Sequence, residues 1–62
     1  MTTGEQLKAA RLARGQTQEE AAVELGVATE TVNRWERGRF EPIGLYAGAV
    51  QRYIRKGQKN GT

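Results

Sequence analysis

Thr17-Gln18-Glu19-Glu20-Ala21-Ala22-Val23-Glu24-Leu25-Gly26-Val27-Ala28-Thr29-Glu30-Thr31-Val32-Asn33-Arg34-Trp35-Glu36-Arg37-Gly38 reads as two short helices hinged at one glycine. Thr17 opens the first, because Glu20 stands three residues later and can reach back to the Thr17 amide in a capping box. Ala21, Ala22 and Leu25 make its inner face, and small alanines let a neighbouring helix approach closely. Gly26 supplies the left-handed turn residue that a bulkier side chain would resist. The second helix runs from about Ala28 or Thr29 to Arg37 and stops at Gly38. Val32, Trp35 and Glu36 share its inner side at i, i+3 and i+4. Its outer side, with Glu30, Asn33, Arg34 and Arg37, is wholly polar.

Working outward, Thr3 and Gln6 stand in capping-box spacing, which predicts a first helix from about Gly4 to Arg14, closed by Gly15. Leu7, Ala10, Arg11 and Arg14 recur at helical spacing, with Leu12 and Ala13 flanking the stripe. On the other side, Pro42 suits the first turn of a fourth helix. Tyr46, Ala49, Val50, Tyr53 and Ile54 then form an amphipathic stripe that ends at Gly57. Gly44 and Gly48 each weaken that helix by roughly 1 kcal/mol relative to alanine. The expectation is an all-α fold: one domain over residues 1–57, a compact bundle of four short helices, followed by a disordered basic tail at 58–62.

Composition narrows the function. Sixty-two residues hold one small core, and there is neither cysteine nor histidine. Disulfide staples and the usual zinc sites are therefore absent, as are the commonest catalytic base and covalent nucleophile. No triad, metal cluster or phosphate loop is present, so the expectation is a non-enzyme without metal or cofactor. No apolar run approaches the ~20 residues that span a bilayer, which leads to the expectation of a soluble, cytoplasmic protein with no membrane contact. The formal charge of +3 is unevenly placed. Residues 1–50 carry a net −1, whereas 51–62 carry Arg52, Arg55, Lys56 and Lys59 without an acid. Such concentration fits either a polyanion contact or a solvated tail.

Two helices joined by a tight turn in about 20 residues is the arrangement whose second helix enters the DNA major groove. At Gln18, Ala22, Gly26, Val32, Trp35-Glu36-Arg37-Gly38 and Pro42 the chain resembles the Cro/CI-type helix-turn-helix family, also called the XRE family. These are DNA-binding domains of phage and bacterial repressors, with a lambda-repressor-like fold. The likeness covers about Leu7 to Pro42. Beyond Pro42 it fades: the fourth helix departs from the family's leucine-rich pattern, and the fifth, dimer-forming helix of many members is missing.

The resemblance implies roles. Gln18 would touch a phosphate and brace the reading helix, and Thr17 would add a phosphate contact. Ala28, Thr29, Glu30 and Arg34 map onto base-reading positions. Arg11 would pair, partly buried, with Glu36. The family's usual serine or threonine cap is replaced by Ala28, so that either Thr29 caps instead or the start of the helix is less firmly held.

The side chains themselves add detail. Arg34 can bond O6 and N7 of one guanine, worth about 1–3 kcal/mol of discrimination, or pair with Glu30 four residues earlier. Glu30 can accept from the amino group of cytosine or orient Arg34 or Arg37. Asn33 and Thr29 suit bases, phosphates or solvent. Arg37 and Arg39, with the amides around Gly38, suit phosphates, as do Lys56 and Lys59. Trp35 reads as core rather than as a base-stacking residue.

The combined expectation is a sequence-specific double-stranded DNA-binding transcriptional regulator, repressor-like, without cofactor. One small module makes few contacts, so a homodimer formed or strengthened on a palindromic operator is expected, through helix 4 or the loop at Arg39 and Phe40. The alternatives are a protein-interaction module of antirepressor or antitoxin type, using Phe40, Tyr46 and Tyr53, and an excisionase-like architectural protein that bends DNA.

Overall fold

The computed structural model describes residues 2–57, and among these it contains four helices and no strand. They are α1 (Thr3–Ala13), α2 (Gln18–Leu25), α3 (Thr29–Glu36) and α4 (Leu45–Gly57). The all-helical bundle expected from the sequence is the fold observed. The segment 58–62, to which a disordered tail and Lys59 were assigned, lies outside the described residues.

Local signals account for most boundaries. At α2 the Thr17 hydroxyl accepts from the Glu20 amide (3.1 Å) while the Glu20 carboxylate accepts from the Thr17 amide (2.9 Å). Two of the four orphan donors at that end are thereby satisfied. Gly26 closes α2 at φ 76°, a left-handed conformation that costs a Cβ-bearing residue free energy. At α1 the box sits one residue earlier than the sequence suggests. Thr2 and Glu5, not Thr3 and Gln6, exchange the capping bonds, and Arg14 is the C-cap. Both pairs have the required spacing; the earlier one places the Glu5 carboxylate, a charged acceptor favoured at a helix N-terminus, where the later one would place a neutral amide.

The start of the fourth helix also differs from expectation. Pro42 lies in the loop, and the chain turns at Gly44 (φ 61°) before α4 opens at Leu45. A proline at residue 42 restrains the approach to the helix rather than its first turn. Within α4, Val50, Tyr53 and Ile54 are buried as the stripe predicts, but Tyr46 at its head is half-exposed. Leu12 and Ala13 are exposed, flanking the buried stripe.

The core is formed by Leu7 and Ala10 of α1, Ala21 and Ala22 of α2, Val32 and Trp35 of α3, and Val50, Tyr53 and Ile54 of α4. Leu25 and Val27 pack against it. Full burial of Leu7 and Val32 stabilises by roughly 1.5–3 kcal/mol each. Helix α1 is the central strut, packing on α4 and α3; α2 lies chiefly on α3 and meets α4 along a shorter seam.

One contact decides how closely α1 and α3 approach. Gly4, in the first turn of α1, is buried against the end of α3. A Cβ there would stand 2.0 Å from the Trp35 carbonyl oxygen. Any side chain would force the helices apart, so this glycine sets the spacing that seats α3.

Candidate nucleic-acid interface

Helix α3 is held by its inner face and leaves its outer face bare. Trp35 is 5% exposed and tilts against Tyr46, with ring centroids 6.0 Å apart. Its neighbour in sequence, Arg34, turns the other way, with 49% of its side chain exposed. Consecutive helical residues lie about 100° apart, so anchoring Val32 and Trp35 inward obliges Glu30 and Arg34 to face solvent. Thr29, Glu30, Arg34 and Arg37 are all exposed, and Ala28 sits exposed at the helix entrance.

Below this face lies a continuous polar relay. Arg11 Nε donates to Glu36 Oε2 at 2.7 Å and Nη2 to Oε1 at 3.1 Å, a two-pronged pair with side chains only 10% and 3% exposed. Arg11 Nη1 also donates to the Gln16 carbonyl (2.9 Å), which leaves the guanidinium well satisfied. The Glu36 hydrogen bonds hold the Arg11 pKa above its usual value despite burial. Gln18 Nε2 donates to Glu36 Oε1 (3.0 Å), and Asn33 Nδ2 donates to Gln18 Oε1 (3.3 Å). Gln18 thus bridges the buried pair and the half-buried Asn33. Its amide nitrogen carries two hydrogens, so it keeps a donor for an outside acceptor.

On the solvent side Arg34 Nη2 donates to Glu30 Oε2 at 3.0 Å, and the guanidinium lies 5.8 Å above the centre of the Phe40 ring. The arginine is therefore flanked by a carboxylate and an aromatic face. Arg37, Arg39 and Phe40 continue from α3 as an exposed loop. The backbone amides around Gly38, expected to be open to an anion, are not. Gly38 N–H donates to the Trp35 carbonyl and Arg39 N–H to the Arg34 carbonyl, at 3.1 and 3.0 Å. They close the helix end instead.

Ala28 occupies the cap position of α3 with extended backbone (φ −74°, ψ 151°) and no side-chain bond. Thr29 is the first helical residue and does not replace it. The helix start is held by the backbone bonds from Thr31 and Val32 to the Ala28 carbonyl.

Thr17, Gln18, Asn33 and Arg34 are thus gathered on or beside the α2–α3 pair. Lys56 is placed elsewhere: its Nζ stands 4.0 Å from Glu24, nearly two turns along α2 from Gln18. Glu24 is the centre of a second group that the sequence analysis missed. Arg14 Nη2 donates to both of its oxygens at 2.9 Å, and Gln16 Nε2 to one at 3.3 Å. Arg14 lies 4.3 Å over the Tyr53 ring, and the Tyr53 hydroxyl donates to Gln16. These partners stand on different elements, so no spacing rule connects them. Among the described residues no group of acids could hold a metal ion, and no helix is long and apolar enough to cross a membrane.

A family model described as helix-turn-helix matches residues 7–42, more than half of the chain. The chain belongs to the Cro/CI-type, XRE helix-turn-helix family. It is accordingly a DNA-binding helix-turn-helix regulator, from a family that is regulatory rather than enzymatic, and its ligand is double-stranded DNA. No curated protein and no solved structure gives a significant match. In this helix-turn-helix protein, α2 and α3 are the motif and Gly26 begins its turn.

Proposed function

We propose that this helix-turn-helix protein is a sequence-specific transcriptional regulator, repressor-like and of phage or bacterial type, that lays α3 in the major groove. The observation that carries the reading is the opposed orientation of two adjacent residues: Trp35 is packed inside while Arg34 projects outward. Arg34 is the chief base reader, with Ala28, Thr29, Glu30 and Asn33 sharing the groove surface. Thr17, Gln18, Arg37 and Arg39 grip the flanking phosphates, and Lys56 contributes longer-range attraction. Selection of bound sites from random duplexes, run with the protein and with Arg34→Ala, tests this. A consensus that loses one guanine in the variant supports the reading; an unchanged consensus overturns the assignment of Arg34.

The protein works as a homodimer on a palindromic operator. Phe40, Ile43, Leu45 and Tyr46 are exposed apolar residues gathered in one short segment between α3 and the start of α4. A patch so close to the reading helix suits a seam that would set half-site spacing. Sedimentation with and without selected duplex checks it: two protomers per site are expected, and a single protomer on a palindrome contradicts it.

A further inference from the structure

Away from α3, the C-terminal halves of α2 and α4 leave a cleft of about 450 Å³ between them. Leu25, Ala49 and the Tyr53 ring form its floor, and Arg52, Arg55 and Lys56 form its rim. Ala49, Arg52, Tyr53 and Lys56 fall at i, i+3, i+4 and i+7, so one face of α4 supplies both floor and cations. The carboxylate at the opening, Glu24, already accepts from Arg14 Nη2 through both of its oxygens, and its pKa is lowered chiefly by that bond. Lys56 Nζ stands 4.0 Å from it, so it offsets one of the three rim cations and leaves Arg52 and Arg55 in excess. The site is therefore an apolar trough with an excess of positive charge, and no α3 residue lines it.

We infer that this cleft docks an acidic amphipathic helix of a partner protein, at a surface separate from the DNA-reading face. An apolar side chain at one position of such a helix would fill the space over Leu25 and Ala49. Carboxylates one turn away would meet Arg52, Arg55 and Lys56. Charge complementarity selects this occupant: the same trough repels a basic helix, and its apolar floor offers nothing to a purely polar polyanion. Because the reading helix lies outside the cleft, partner and DNA would be held at once, which would let a DNA-bound regulator recruit or be captured by a second protein.

The test uses the full chain, labelled with nitrogen-15, and a synthetic amphipathic helix with Leu on one face and Glu at the flanking positions. Control peptides are the same composition in scrambled order and an all-Glu sequence. Binding is expected to shift the amide signals of Leu25, Ala49, Arg52 and Tyr53, with the scrambled peptide weaker by about tenfold or more. The exposed triple variant Arg52→Gln, Arg55→Gln, Lys56→Gln is expected to lose the same factor while its helical circular dichroism is retained. A second variant, Ala49→Leu, fills the floor and separates loss of space from loss of charge. Peptide shifts must persist when random-sequence duplex saturates the protein. Equal binding of all three peptides, shifts centred on Phe40 and Leu45, or displacement of the peptide by duplex would each overturn the inference. None of those results would bear on Arg34 as a base reader.

Discussion

Gln18 and Glu36, on different helices and eighteen residues apart, are joined by a 3.0 Å hydrogen bond that ties the start of α2 to the end of α3. Since Glu36 is also locked to Arg11, the residue expected on a phosphate and the helix expected in the groove rest on one buried charge pair. A shift of either helix would misplace both. The relay thus couples the proposed phosphate contact to the proposed reading helix mechanically.

Breaking that pair on one side should be severe. Glu36→Ala strands the Arg11 guanidinium in a nearly dry site, at a cost of about 3–5 kcal/mol. A domain of this size has only a few kcal/mol in total, at ~0.05–0.15 per residue. Urea titration followed by circular dichroism should find the variant largely unfolded. The double variant Arg11→Met, Glu36→Leu should recover much of the loss, because no charge is left unpaired.

Gly4→Ala should destabilise although alanine is the better helix former by about 1 kcal/mol. The added Cβ meets a backbone carbonyl rather than a flexible side chain, so α1 must move. Overpacking of this kind costs roughly 1–3 kcal/mol. A lowered melting temperature together with altered Trp35 fluorescence is the expected outcome. A melting temperature above that of the parent would show the contact to be soft.

Ala28→Ser should stabilise. The backbone at residue 28 already has cap geometry, and a hydroxyl there could accept from an orphan amide of α3. Caps of this type contribute about 0.5–2 kcal/mol relative to alanine. Denaturant midpoints compare the two proteins directly, and DNA affinity should change separately if residue 28 touches bases.

Glu30→Gln should strengthen binding to all duplexes, since it removes a carboxylate from the side proposed to face DNA and frees Arg34 from its 3.0 Å ionic partner. Discrimination should fall if Glu30 accepts from cytosine or orients the arginine. Titration against the selected site and a mutated site measures both quantities.

Stability should fall at both ends of the pH scale, through the group around Gln16. Arg14 holds the Glu24 carboxyl below its usual value, so that contribution is complete above about pH 4.5 and vanishes as pH falls through the depressed folded value. Burial raises the Tyr53 hydroxyl above 10.0, so its contribution is complete below that value and is lost as base rises through the folded one. Thermal melts across pH should show Glu24→Gln flattening the acid limb and Tyr53→Phe the alkaline limb.

Chain order alone was enough for the helices of residues 17–38, because caps, turn glycines and the i, i+3, i+4 stripe act within one or two turns. The box Thr17–Glu20, the turn at Gly26 and the inward Trp35 all belong to that range. Where two local solutions compete, as with Thr2–Glu5 against Thr3–Gln6, spacing cannot choose; the charge of Glu5 at the helix N-terminus favours the first. The Arg11–Glu36 pair was anticipated through family likeness, its partners being 25 residues apart. Only tertiary packing decided the Gly4–Trp35 approach, the Glu24 group, and the cleft between α2 and α4. Each joins residues distant in the chain, and such distances are set by how helices seat against one another, which no periodicity encodes.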